Sequence, residues 1–224
     1  MAGETQPPRR RVSSGPLLSS QRVEAFSDGV IAIAITLLVL DLAVPTRTAA
    51  AAGGLGHALL EQWPAYFAYA VSFLVIGIIW VNHHTVFAKV RLVDRLVLFT
   101  NLALLMCISV IPFPTRLLAE YLTDGADSHV AAAVYSATML AMGLSFSGLW
   151  LAVTRDQRLL HENVDPVTSR AALGRFTLGN VFYLATIGLS FVSALATLTV
   201  HAALALYYCF DQLPTRDRDP AEPA

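Results

Sequence analysis

Polar side chains that could carry chemistry lie at one depth within three apolar stretches of the chain. Asp28 lies in the first stretch, His83 and His84 in the second and Asn101 in the third. If each stretch is a helix, each of these residues lies about 9 Å along the helix axis from the basic residues at its end. An ionisable group inside a bilayer costs roughly 2.5 to 3.5 kcal/mol at the centre, so each requires a polar partner or a water-filled path.

The simplest arrangement is a hydrogen-bond network that joins Asp28 and Ser27 to His83 or His84, Asn82 and Asn101. Such a network has two interpretations. It either fixes the packing of the helices, or it relays protons or cations and responds to pH through histidine. A zinc site is disfavoured, because adjacent histidines point about 100° apart on a helix, whereas metal-binding pairs favour i,i+4 spacing.

The composition predicts an integral membrane protein. Of 224 residues, 55% are hydrophobic and 14% charged, with a mean hydropathy of +0.58, whereas about a quarter of the residues of a soluble domain are charged. Cys107 and Cys209 both lie in apolar runs, which excludes a disulfide framework and a CxxC site. No catalytic motif appears, so we expect no enzyme activity, no cofactor, the lipid bilayer as surroundings and no nucleic-acid partner.

The hydropathy pattern predicts an all-α chain with six transmembrane helices. A disordered basic tail (1–20) precedes the six-helix domain (21–211), and a second tail follows (212–224). The first four spans cover Arg22–Val44, about Trp63–Val86, Leu96–Ile111 and about Val130–Val153. Pro112 and Pro114 are predicted to end the third span. Residues 176–210 contain no Asp, Glu, Lys or Arg and fit two short spans with a turn near Gly188–Ser193.

The distribution of basic residues predicts the topology. With six spans and a cytoplasmic N-terminus, only Arg47 and Arg116 fall outside, and the other 13 of the 15 lysines and arginines fall inside. A five-span chain would place the C-terminal arginines outside. The segment RRRVSS resembles part of a cleaved signal, but Glu24 and Asp28 separate it from the apolar run. We therefore expect a multi-pass protein of the cell membrane with both termini in the cytoplasm.

A helical wheel of the first span separates two faces. With Ile33 at 0°, Leu37 falls near 40° and Leu40 near 340°, with Thr36 near 300° on the shoulder, at about 100° per residue. Asp28 falls near 220°, on the opposite side. The aliphatic stripe has three possible destinations: lipid, a neighbouring helix, or the axis of an oligomer, where it would form hydrophobic constrictions.

Four segments together resemble a known family. The segment RVEAFSDGVIAIAITLLVLDL carries Arg22, Phe26, Ser27 and Asp28 in RxxxFSD order. The segment WVNHHTVF carries Trp80, Asn82, His83 and His84. A D-x5-TN spacing from Asp94 to Asn101 and the segment IPFPTRLLAEY follow. In this order they resemble the bacterial relatives of transmembrane protein 175, the endosomal and lysosomal potassium channel family, over roughly residues 20–121.

The resemblance implies a passive, potassium-preferring cation channel without the TVGYG filter. Six-helix subunits would form a homotetramer whose first helices line a central pore for K⁺ and other monovalent cations. It implies constrictions at Ile33, Leu37 and Leu40 and a threonine layer at Thr36. It further implies that Arg22, Ser27 and Asp28 hold the first helix against spans two and three. The rival interpretation is a proton-coupled transporter that uses Asp28 and His83 or His84.

Overall fold

The protein is a bundle of helices with one very short sheet. A computed structural model describes residues 18–161 and 166–210. Its helices are α1 (Ser20–Leu37), α2 (Arg47–Glu61), α3 (Trp63–Phe87), α4 (Arg95–Val110), α5 (Pro112–Tyr121), α6 (Gly125–Thr154), α7 (Pro166–Ser190) and α8 (Ala194–Phe210). Strands β1 (Leu18–Ser19) and β2 (Leu92–Val93) form the sheet. Residues 1–17 and 211–224, which contain most of the two predicted tails, lie outside the described residues.

Four segments of the described chain are long and apolar enough to cross a membrane. They are Ser20–Asp41, Trp63–Phe87, Arg95–Tyr121 and Gly125–Thr154. Two shorter apolar helical segments, Thr177–Ser190 and Ala194–Cys209, occupy the region in which the sequence predicts two short spans. Helix α7 ends at Ser190 and α8 begins at Ala194, which places the connecting turn within the predicted interval.

The first span departs from the predicted continuous helix to Val44. Helix α1 ends at Leu37, and a 3₁₀ turn continues to Asp41. Helices commonly tighten into 3₁₀ geometry in the last turn, where terminal carbonyls lack intrahelical partners. The wheel at 100° per residue therefore does not apply to Leu40, which lies within the 3₁₀ turn.

Pro112 and Pro114 mark the end of the helix, as predicted, but not the end of the apolar segment, since α4 ends at Val110 and the segment continues through α5 to Tyr121. Ile111 has helical backbone angles (φ −51°, ψ −39°), and α5 begins at the next residue. The two prolines lie in the first turn of α5, where a missing N–H leaves no hydrogen bond unmade. Helices α4 and α5 thus form one apolar segment with a change of helix at Ile111.

The packing encloses one side of α1. Helix α1 contacts α3 and α4, and α6 contacts α4, α5 and α7. The buried residues of α1 are Val23, Ser27, Ile31 and Ala34, a spacing of four, four and three that marks one helix face. The opposite face of α1 remains exposed in the single chain, as described below.

Backbone pairing joins three segments at the end of the bundle where α1 begins. Strands β1 and β2 are antiparallel, with Leu18 opposite Val93. The N–H of Arg91 donates to the carbonyl of Leu159, at 2.8 Å, in the connection after α6. The start of α1 is therefore tied to the α3–α4 connection, which is itself tied to the segment after α6.

Asp94 provides a test of this end of the bundle. Its Oδ1 accepts a hydrogen bond from the N–H of Val97 at 3.0 Å, which caps α4, and its Oδ2 forms an ion pair with Arg155. We expect Asp94→Ala to lower the free energy of unfolding by about 1 to 2 kcal/mol because it removes both interactions. Asp94→Asn should have a smaller effect, since it keeps the cap. Unfolding in detergent, followed by circular dichroism, measures both variants.

The matched control is Asp124→Ala. Asp124 occupies the equivalent cap position of α6 but makes no capping hydrogen bond through its side chain, and it is exposed. An Asp94→Ala variant no less stable than Asp124→Ala would contradict the assignment.

Candidate functional site

A buried hydrogen-bond network joins three helices through Asn101. The Nδ2 of Asn101 donates to Ser27 Oγ of α1 at 2.9 Å, and its Oδ1 lies 2.9 Å from His83 Nε2 of α3. Because an amide oxygen only accepts, His83 Nε2–H is the donor. Ser27 Oγ in turn donates to the carbonyl of Val23 at 2.8 Å. The three side chains, here called the Asn101 network (Ser27, His83 and Asn101), are at most 1% exposed.

The two adjacent histidines have different partners. The His83 ring points into the bundle and stacks on Phe87, with ring centroids 4.4 Å apart. His84 lies on the exposed side of α3, with its Nδ1 2.9 Å from Glu24 Oε1 of α1. This resolves the alternative that the sequence left open, because only His83 reaches Asn101.

Asp28 is bound by an indole and not by a histidine. Trp80 Nε1–H donates to Asp28 Oδ1 at 2.9 Å. Trp80 and His84 are stacked one helical turn apart, so the Asp28–Trp80 and Glu24–His84 pairs are successive contacts between α1 and α3. Among the described residues no hydrogen bond connects Asp28 to a histidine, so the predicted path from the acid to an imidazole is not assembled.

Three other residues of the predicted network lie outside it. Arg22 and Phe26 are exposed, and Asn82 is half-buried. Neither Arg22 nor Asn82 has a side-chain hydrogen bond or ion pair to any residue in the described ranges 18–161 and 166–210. Within the same ranges no three His, Cys, Asp or Glu side chains converge to hold a metal ion.

Sequence reasoning missed Glu24, and it assigned Trp80 to helix packing without identifying its partner, Asp28. A signal for both was available, because Glu24 precedes Asp28 by four residues and Trp80 precedes His84 by four. Residues four apart share a helix face, so two facing pairs of this spacing predict two contacts between α1 and α3.

A second set of buried polar contacts joins helices in the rest of the bundle. Ser72 Oγ lies 2.7 Å from Thr115 Oγ1 and 3.0 Å from the Tyr135 hydroxyl, which connects α3, α5 and α6. Ser136 Oγ lies 3.0 Å from His201 Nε2, which connects α6 to α8. All five side chains are buried. They were not singled out from the sequence, since isolated Ser, Thr and Tyr are common in apolar helices.

The aliphatic stripe of the first span is exposed. Ile33 is 62% exposed, Leu37 42% and Leu40 74%, and Thr36 is also exposed. No helix of the described chain therefore covers this face. Within residues 18–161 and 166–210, packing against a neighbouring helix is excluded, which favours lipid or another subunit.

The Thr36 hydroxyl is satisfied within its own helix. Its Oγ1 lies 3.0 Å from the carbonyl of Ala32 and 2.9 Å from that of Ile33, so it donates its hydrogen backwards along α1. The oxygen lone pairs are then free on the exposed side of the helix.

Removal of the central amide should destabilise the bundle. We expect Asn101→Leu to lower the free energy of unfolding by about 1 to 2 kcal/mol, because Ser27 and His83 lose a buried partner. The matched control is Asn82→Leu, which removes an amide that makes no described hydrogen bond. Titration with denaturing detergent, followed by circular dichroism, measures both variants. Equal losses in the two variants would be inconsistent with a specific network.

Comparisons with known proteins place the chain in a family. Residues 22–112 match the family described as "Endosomal/lysosomal potassium channel TMEM175". A potassium channel of Streptomyces collinus is 56% identical over 205 residues, which cover 92% of this chain and 98% of that protein. A potassium channel of Chamaesiphon minutus is 42% identical over 187 residues, covering 84% and 92%.

Solved structures agree with this placement. The crystal structure of a lysosomal potassium-selective channel TMEM175 homolog from Chamaesiphon minutus matches with a TM-score of 0.77 at 39% identity. The match covers 85% of this chain and 96% of that chain. The residues matched by the family model, 22–112, include Ser27, His83 and Asn101 of the Asn101 network. The chain is therefore a multi-pass membrane protein that belongs to the TMEM175 family.

Proposed function

We propose that this protein is a potassium channel whose pore lies between the α1 helices of several subunits. The observation that carries the proposal is the exposed face of α1. Ile33 and Leu37 are exposed on a helix whose other face is fixed by the Asn101 network. The two relatives named as potassium channels supply the permeant ion by analogy.

The proposed assembly is a homotetramer. Each subunit contributes one α1 helix, and a single helix cannot enclose a pore, so several copies are required. Four is the number that the family resemblance implies. The proposal includes six spans per subunit and both termini in the cytoplasm, which the distribution of basic residues supports, and a location in the cell membrane.

The 3₁₀ turn supports three stacked constrictions. From Ile33 to Leu37 the α-helix advances about 6 Å and about 40° around its axis. From Leu37 to Leu40, three 3₁₀ residues advance about 6 Å and complete about one full turn, so Leu40 lies directly beyond Leu37. In an oligomer these side chains would form three aliphatic rings that control hydration of the pore.

Thr36 supplies the proposed polar layer among these rings. Because its hydroxyl hydrogen is used within the helix, its oxygen presents only lone pairs to the exposed side. A ring of such oxygens would replace part of the hydration shell of a monovalent cation. Hydroxyl layers offer fewer ligands than a carbonyl filter, so we expect a modest preference for K⁺ over Na⁺.

Polar or smaller residues in the constrictions should raise ion flux. We expect the double variant Ile33→Asn, Leu37→Ala to increase K⁺ flux into liposomes by about tenfold, which corresponds to about 1.4 kcal/mol in the barrier. The control is Val39→Ala, which truncates an exposed side chain outside the stripe of α1. Its flux should match the unmodified protein. The number of subunits in detergent is measured first, by native mass spectrometry. Either a monomer or a flux that the double variant leaves unchanged would refute this pore.

Thr36 should affect selectivity more than conduction. We expect Thr36→Val to lower the K⁺ over Na⁺ permeability ratio by severalfold, because it replaces the hydroxyl oxygen by a methyl group of similar size. Thr36→Ser keeps the oxygen and should retain most of the ratio. Reversal potentials under biionic conditions measure both variants. A Thr36→Val channel with unaltered selectivity would remove Thr36 from the ion path.

A further inference from the structure

Helix α2 is an amphipathic helix with little packing inside the subunit. It spans Arg47–Glu61 and begins at Thr46, whose Oγ1 accepts a hydrogen bond from the N–H of Ala49 at 3.2 Å. Gly54 interrupts it with φ 85°, a conformation that favours glycine. A single residue, Gln62, separates α2 from α3. The end of α2 is therefore fixed at the depth at which α3 begins.

The apolar side chains of α2 are exposed. Leu55 is 58% exposed and Leu60 74%, and Leu59 is exposed as well. In the described part of α2, only Ala58 is buried. On a wheel with Leu55 at 0°, Leu59 falls at about 40°. The leucine face is thus not covered by any helix of the described chain.

The polar side chains of α2 lie on the other side. His57 and Glu61 fall at about 200° and about 240° on the same wheel. They form a pair, with His57 Nε2 3.1 Å from Glu61 Oε1, and both side chains are exposed. The second half of α2 therefore has Leu55 and Leu59 on one face and the His57–Glu61 pair on the opposite face, with Leu60 between the two faces at about 140°.

Exposed aromatic residues lie just beyond α2, at the start of α3. Trp63 and Tyr66 lie in its first turn and are both exposed. Exposed Trp and Tyr at the end of a membrane span are typical of the headgroup region, where an amphipathic ring meets both lipid and water. Leu59 precedes Trp63 by four residues, with Glu61 and Gln62 between Leu60 and Trp63.

We propose that α2 lies along the membrane surface, with Leu55 and Leu59 inserted into the phospholipid leaflet and His57 and Glu61 facing water. The occupant of this face is lipid because α2 leads, through the single residue Gln62, into a membrane span that begins with exposed aromatic residues. Arg47, exposed at the start of α2, is placed to meet lipid phosphates. This inference does not depend on ion conduction.

The test reads the surroundings of two side chains two residues apart. Leu59→Cys and His57→Cys are made separately in the full chain, each together with Cys107→Ala and Cys209→Ala. Each variant is labelled with bimane and reconstituted in phosphatidylcholine–phosphatidylglycerol vesicles. One set of vesicles contains lipid brominated near the top of the acyl chain, and another contains aqueous iodide on both sides. We expect the brominated lipid to quench bimane severalfold more strongly at position 59, and iodide to quench it severalfold more strongly at position 57.

Other patterns overturn the proposal. Protection of position 59 from both quenchers would mean that a second copy of the chain covers the leucine face. Strong quenching of both positions by iodide would mean that α2 lies in water. Leu55→Cys and Glu61→Cys provide a second pair on the same faces, all at exposed positions where folding is not at risk. Quenching is read whether or not the protein conducts, so loss of K⁺ flux tests only the proposed function.

Discussion

The amide of Asn101 fixes the rotation of α1, and much of the rest of the structure depends on it. In apolar surroundings a buried hydroxyl or imidazole needs a partner, and one amide supplies both a donor to Ser27 and an acceptor to His83. A shift of one residue along α1 would turn Ser27 away by about 100° and leave these groups unpaired. The network therefore determines which face of α1 is buried and which remains free.

The contacts around this network hold α1 along its whole length. At its start, β1 pairs with β2, and Glu24 and Asp28 bind His84 and Trp80 of α3. At its end, the 3₁₀ turn contacts α3 and α5. These contacts are polar at one end and apolar at the other, since Leu38 of the turn is fully buried. A helix tied at both ends can present an uncovered face without losing its position.

The depth of the polar residues could be predicted from the sequence, but their pairing could not. Counting residues from the flanking basic residues placed Asp28, the two histidines and Asn101 at one level. His83 and Asn101 meet there with Ser27, the neighbour of Asp28, whereas Asp28 itself binds Trp80. The choice between His83 and His84 depends on the rotation of α3, which its nearly uniform apolar sequence does not indicate. Glu24 was missed because it was considered only as a charge before the apolar run.

The ends of the helices were the least predictable part of the fold. Pro112 correctly indicated the end of α4, but not that α5 begins at the same residue, which is possible because the first turn of a helix does not need the missing N–H. The change to 3₁₀ geometry at Leu38 leaves no clear signal in an aliphatic run. Both features depend on how neighbouring helices pack against the turn, which is tertiary information.

The polar clusters also bear on where an ion path can run. In lipid, helices gain little from burying apolar surface against one another, so packing and hydrogen bonds specify their contacts. Ser72, Thr115 and Tyr135 join α3, α5 and α6 through hydrogen bonds, and Leu104 and Ile76 are fully buried. At these described positions the interior of the subunit is thus occupied by packed side chains. In the proposed assembly a cation instead follows the uncovered face of α1, which carries the Thr36 oxygen suited to it.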